Sequence, residues 1–286
     1  MIKMNYGSLY GALRTALMWC TLTTSDERHV FVSGAPRSGT TLLKAILENH
    51  SAACGPTYES TGLFSNADFF RDQWWGQTGL DSNTIAPLLS SSGDIVSFYE
   101  KIARAMRDRH DASVFVDKMP WPPRRHRLWY VTSKFEVARW IHIVRDGRDC
   151  YCSAANHPHV HQSETASAFA KYWRTCVESH EAMIPEERKY TIRYEDLTRT
   201  PSSVIESVMD FVGLDFESQQ IEASSRSNYD DGAEGAHSRL QKPISDASVG
   251  RWKDEMSAED VQAFQRHARE VLRKFDYEEE TSVRIE

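Results

Sequence analysis

The segment His29-Val30-Phe31-Val32-Ser33-Gly34-Ala35-Pro36-Arg37-Ser38-Gly39-Thr40-Thr41-Leu42-Leu43 limits the possible folds more than any other part of this chain. It reads as an apolar strand, a turn bounded by two glycines, and the start of an amphipathic helix. That layout turns backbone N–H groups and a helix N-terminus toward an anion. A nucleoside-triphosphatase loop has the form G-x-x-x-x-G-K-[ST]. Gly34 and Gly39 keep that spacing, but Thr40 stands where the lysine belongs, and the nearest cation is Arg37 inside the turn. The anion cradle is present without the lysine that reaches the β/γ-phosphates. This argues against ATP or GTP hydrolysis and for another phosphorylated ligand.

A second anchor lies downstream. Arg139-Trp140-Ile141-His142-Ile143-Val144 reads as a buried strand that runs into Arg145-Asp146-Gly147-Arg148-Asp149 and then a helical stretch carrying Ser153. An arginine at a strand end and a serine one to two turns into the next helix can grip one phosphate from two sides. Strands are expected at 29–33, 113–117, 139–144 and 189–193. Helices are expected at 40–49, 95–109, 148–156, 163–183, 202–212 and 257–274. Such alternation predicts an α/β fold, a central parallel sheet flanked by helices on both faces. Ile95, Phe98, Tyr99, Ile102 and Met106 recur at helical spacing as a core face. Ser257 with Asp260 is a capping-box-like start for the last helix. Lys118 follows a strand, at the end of the sheet where ligands bind in α/β folds. Residues 57–94 and 223–250 show no period and read as lid or binding segments.

The 286 residues suit a single domain spanning 1–286, with residues 1–28 as a helical extension. A net charge of −7 gives no reason to expect nucleic-acid binding or a basic membrane-surface patch. The five cysteines (Cys20, Cys54, Cys150, Cys152 and Cys176) lack a disulfide rhythm and read as reduced thiols. No apolar run reaches the ~20 residues that span a bilayer, and Arg14 interrupts the stretch Leu9–Leu22. That stretch reads as a short helix packed on the domain, and a cytoplasmic location is the expectation. His157-Pro158-His159-Val160-His161 supplies no defined fourth ligand, so no metal site is expected there.

Together these segments resemble the superfamily of sulfotransferases that use 3′-phosphoadenosine 5′-phosphosulfate (PAPS), in its bacterial and tyrosyl-protein-like branch. Three further stretches carry the likeness. They are Asp117-Lys118-Met119-Pro120, then Tyr194-Glu195-Asp196-Leu197 followed by Pro201 and Phe211-Val212-Gly213-Leu214, and last Gly250-Arg251-Trp252. The resemblance implies the sulfotransferase variant of the P-loop fold. It implies that Arg37, Ser38, Gly39, Thr40 and Thr41 hold the 5′-phosphosulfate, that Arg145 and Ser153 hold the 3′-phosphate, and that Tyr194 and Arg251 lie near the donor nucleotide. The donor is PAPS, the product adenosine 3′,5′-bisphosphate (PAP), and no metal is required. For catalysis it implies Arg37 and Lys118 at the transferring group and Glu59 as the base, with His126 and His142 as rivals. The expected partner is a hydroxyl or amine of a small molecule or glycan. The alternative is a tyrosyl protein or peptide, and a homodimer is compatible with the reading. Trp74, Trp75, Trp121 and Trp129 suit any of these acceptors. Two other classes stand beside it: a small-molecule kinase with a degenerate loop, and a non-catalytic nucleotide-binding protein.

Overall fold

A computed structural model of the chain describes residues 18, 20–57, 59, 78–119, 125–155, 160–222, 240 and 242–278. Five strands, β1 (His29–Ser33), β2 (Ala53–Cys54), β3 (Val114–Met119), β4 (Arg139–Val144) and β5 (Lys189–Arg193), form one sheet in the order β2-β3-β1-β4-β5. Every pairing is parallel. Parallel neighbours need long crossovers, and helices supply them. These are α1 (Thr40–Glu48), α2 (Ser82–Ser90), α3 (Ile95–His110), α4 (Arg125–Lys134), α5 (Gly147–Ala154), α6 (Ala166–Met183), α7 (Tyr194–Arg199), α8 (Pro201–Val212), α9 (Trp252–Glu255) and α10 (Ala258–Lys274).

Side chains that alternate along the strands divide the core. Val30, Val32, Val116, Ile141 and Ile143 face one way and pack with Leu43, Ile46 and Leu47 of α1 and Ile205, Val208 and Met209 of α8. Phe31, Phe115 and Trp140 face the other way, onto Phe98, Tyr99 and Ile102 of α3. Val144 joins Cys150 and Ala154 of α5, Phe169 and Trp173 of α6, and Phe264 of α10 on that second side. The helix after β1 and the helix after β4 therefore leave the sheet on opposite faces, although β1 and β4 are neighbours. This is the topological switch point at which open α/β sheets form a crevice at their carboxyl ends.

Local signals explain the helix limits. Asp94 caps α3 by accepting from the Ser97 amide, and Arg107, Arg109 and His110 sit in its last turn, where cations oppose the helix dipole. Ser257 caps α10 through the Asp260 amide, with Glu259 and Asp260 in the first turn. Pro201 opens α8 and Gly213, at φ +84°, ends it.

Six elements depart from the sequence expectation. β3 runs to Met119, so Lys118 lies within the strand rather than after it. The edge strand β2 is two residues long, too short to show a period. The supposedly irregular segment 57–94 contains α2, capped by Asp81, with only Ile85 and Leu89 buried and Pro87 inside it. α4, α7 and α9 were not among the expected helices. Of the N-terminal stretch Leu9–Leu22 only Met18 and residues 20–22 are described, and Met18 is buried in the core. No helix among the described residues is long and apolar enough to cross a membrane.

Candidate active site

The turn after β1 is wound tightly. Ser38 donates to the Ala35 carbonyl from both its amide (3.1 Å) and its hydroxyl (2.6 Å). Gly39 caps α1 at φ +98°, and a Cβ there would stand 2.6 Å from the Tyr194 ring. Arg37 is also left-handed, at φ 69°. A non-glycine residue held there costs about 1–3 kcal/mol, so its surroundings must enforce it. They do so from two sides. The Arg37 Nε donates to Ser153 Oγ at 3.1 Å, and the Arg37 carbonyl accepts from Arg145 Nη1 at 3.1 Å.

Arg145 joins the two halves of the site. It is 5% exposed, its guanidinium stacks over the Tyr194 ring at 4.5 Å, and its Nη2 donates to the Ser248 carbonyl at 2.5 Å. Its Nε has no hydrogen-bond partner among the described residues. Ordered neighbours hold this arginine. The carboxylate of Asp149 accepts from the Gly250 amide at 2.7 Å and the Trp252 amide at 3.0 Å, which pins the segment carrying Ser248. Burial pushes the Asp149 carboxyl up, and these two amides oppose that. Arg148 pairs with Asp146 at 2.7 Å and stacks on Trp252 at 3.6 Å. Glu195 accepts from the Asp146 amide and the Tyr277 hydroxyl, closing the support beneath the turn.

On the other side of α1, Lys118 donates to Thr41 Oγ1 at 3.0 Å and pairs with Glu59 Oε2 at 3.1 Å. The preceding residue, Asp117, is buried and accepts from Tyr99 Oη at 3.0 Å. A carboxylate, an ammonium and a hydroxyl thus form a chain that ends at the first turn of α1.

Between the two halves lies a cavity of about 360 Å³. Arg37, Gly39, Thr40 and Thr41 form one wall, Arg145, Ser153 and Tyr194 another, and residues from 240 to 248, Lys242 among them, the third. Its described lining holds three cations (Arg37, Arg145 and Lys242) and no carboxylate, in a chain whose net charge is −7. Concentrated positive charge in a half-enclosed cleft, beside free helix N–H groups, suits a multiply charged anion.

A family model described as the sulfotransferase family matches residues 29–218. The chain belongs to the sulfotransferase family. It is 26% identical over 227 residues to protein-tyrosine sulfotransferase 1 of Danio rerio, an alignment covering 72% of this chain and 59% of that protein. The chain thus spans under two thirds of that relative's length. Among solved structures, the sulfotransferase domain of the Synechococcus PCC 7002 olefin synthase superposes with a TM-score of 0.60 at 21% identity, covering 87% of this chain and 98% of that one. Mouse sulfotransferase SULT7A1 complexed with PAP superposes with a TM-score of 0.55 at 16% identity, covering 89% and 88%. The sheet order and flanking helices are those of a sulfotransferase fold.

The fold brings most of the expected residues together. Arg37, Gly39, Thr40, Thr41, Arg145, Ser153 and Tyr194 line the cavity. Ser38 is buried under the turn, with its hydroxyl spent on Ala35. Arg251 is not among the lining residues, and its guanidinium pairs with Glu255 at 2.7 Å. His142 is buried, with Nδ1 on Glu181 at 3.1 Å, on the far side of the sheet from α1 and paired with the His180 ring. Trp129 is 60% exposed. Trp74, Trp75 and Trp121, the side chain of His126 and the residues 156–159 lie outside the described residues. The sequence marks residues 223–250 as a lid or binding segment without singling out Lys242 or Ser248. Their one signal was a lysine before Pro243 in a polar, period-free stretch.

Proposed function

We propose that this chain transfers a sulfuryl group from PAPS to the phenolic hydroxyl of a tyrosyl residue in a peptide. The observation that carries the reading is the cation-lined cavity at the β1/β4 switch point, abutting the Thr41–Lys118–Glu59 chain. The residues fit the donor. The buried Arg145 has a donor atom left over at Nε, and Arg37, Gly39, Thr40 and Thr41 line the same cavity. When bound, the donor supplies an SO3 group on a 5′-phosphate within a nucleotide that bears a second phosphate at its 3′ position.

The chain's own residues divide the work. Arg145 and Ser153 grip one phosphate from opposite sides, a charge-assisted contact that fixes the nucleotide. Arg37, the amides of Gly39–Thr41 and the N-terminus of α1 hold the other phosphate. Negative charge grows on the leaving oxygen in sulfuryl transfer, and preorganised cations lower the barrier most at such a point. Lys118, anchored on Thr41, stands ready for that charge. Glu59 accepts the proton of the attacking hydroxyl, with Lys118 holding its carboxylate in reach. Tyr194 keeps the Arg145 guanidinium flat through a cation–π contact.

The acceptor assignment leans on the relative from Danio rerio, whose name specifies protein tyrosine, in preference to the small-molecule or glycan acceptor. The test is transfer of label from ³⁵S-PAPS to a panel of a tyrosyl peptide with flanking acidic residues, a simple phenol, an amine and an oligosaccharide. Label on the tyrosine oxygen supports the proposal. Transfer to sugar or amine, with none to either phenol, refutes the acceptor class. No transfer to any member, with PAP bound tightly, supports a non-catalytic nucleotide-binding protein instead.

A further inference from the structure

Lys44 stands four residues after Thr40 and four before Glu48, so all three share one face of α1. It is wholly buried (0% exposed). Lysine is among the residues least often buried completely, and when buried it needs partners. Lys44 Nζ donates to Glu48 Oε1 at 2.5 Å and to the backbone carbonyl of Pro56 at 2.7 Å. Burial pushes the Lys44 ammonium down and the Glu48 carboxyl up, and their contact opposes this on both sides.

The backbone that Lys44 holds leads directly to Glu59. Pro56 is three residues before it, and Gly55 is wedged just ahead. A Cβ on Gly55 would collide with the Glu48 carboxylate and with the Val116 carbonyl of β3. Two residues beyond Val116 on β3 comes Lys118, the partner of Glu59. The segment from Gly55 is therefore clamped between the last turn of α1 and the end of β3. Apolar residues at 44 and 48 together would fill the same volume more cheaply, whereas the ammonium also grips the Pro56 carbonyl.

We propose that Lys44, with Glu48, is a positioning residue that sets the loop carrying Glu59 over Lys118. This inference rests on the reading of Glu59 as the base. Lys44 does not line the cavity, and it reaches the loop through the Pro56 carbonyl. Displacing a reacting group by about 1 Å can cost roughly 100-fold in rate.

The test compares the full chain with Lys44→Met and with the double variant Lys44→Met/Glu48→Leu. Replacing a buried ion pair by apolar residues of similar volume is often neutral or stabilising, so the double variant keeps the fold without the Pro56 contact. Each protein is measured for kcat and KM with PAPS and a tyrosyl peptide, for the pH dependence of kcat, and for PAP affinity by calorimetry. The expected result is a kcat lower by roughly 10- to 100-fold and a displaced acid limb of the pH profile. PAP affinity stays within about twofold, and Lys44→Arg restores part of the rate. A folded Lys44→Met or double variant with wild-type kcat overturns the proposal. Loss of folding in both also overturns it, because the pair would then be core structure alone. If wild-type protein binds no PAP, the parent reading fails instead, and that outcome is separate from the others.

Discussion

Arg145→Ala should weaken PAP binding by about 2–4 kcal/mol. The structure allows the figure to be built up. The guanidinium spends Nη1 on the Arg37 carbonyl and Nη2 on the Ser248 carbonyl, leaving Nε with no partner among the described residues. A hydrogen bond from a charged donor to phosphate contributes about 1.5–3 kcal/mol. Releasing the Ser248 carbonyl loosens the third wall of the cavity and adds about 0.5–1 kcal/mol. The sum corresponds to roughly a 30- to 700-fold rise in Kd. Arg145→Lys keeps the charge but cannot bridge two carbonyls and a phosphate, so it should fall between. The assay is isothermal titration with PAP, with thermal melts of the ligand-free proteins to confirm that the variants fold. A folded Arg145→Ala protein whose Kd lies within about threefold of wild type would refute the reasoning, because the guanidinium would then not face the nucleotide.

Glu59→Gln should leave PAP affinity unchanged while kcat falls roughly 10²–10⁴-fold, and near-normal turnover would assign the base elsewhere. Gly39→Ala combines a φ of +98° with a Cβ 2.6 Å from the Tyr194 ring, so urea titration should show a loss of about 1–3 kcal/mol together with weakened PAP binding. Stability should fall on acidification. Burial holds His142 and His180 below the usual histidine pKa of 6.5, while Glu181 is held well below the carboxylate range, chiefly by its hydrogen bond to His142. Below pH 6.5 the unfolded chain takes up protons that the folded one refuses. Each histidine therefore removes up to about 1.4 kcal/mol per pH unit, an effect absent at pH 7.5 and growing toward pH 5.5. His180 has neither ring nitrogen bonded among the described residues, so His180→Leu should flatten this dependence in urea titrations at the two pH values.

The scaffold was legible because its signals are local and strong. Strands 29–33 and 139–144 are near-continuous apolar runs, as expected for strands buried on both faces of a parallel sheet. The cation-lined turn was legible for a related reason. A turn that can present amides to an anion needs glycine at fixed spacing, and the arginine at the end of the neighbouring strand comes to line the same cavity. Segments whose form depends on distant partners were not legible. β2 exists only because Ala53 and Cys54 meet Val114 and Phe115 on β3. The approach of Lys242 and Ser248 to the cradle depends on Asp149, about a hundred residues away, taking the amides of Gly250 and Trp252. The pairing of Arg251 with Glu255 was visible as an i,i+4 spacing, but the family pattern drew attention to the donor instead. The complete burial of Lys44 has no signal in its sequence neighbours.

The most direct measurement of the central claim is a calorimetric titration of the wild-type chain with PAP in excess chelator, beside a titration with ATP and magnesium. The account predicts one PAP per chain, with a Kd on the order of micromolar or tighter, no need for a divalent ion, and far weaker binding of ATP. Absence of PAP binding, or tighter binding of magnesium-ATP, would contradict it.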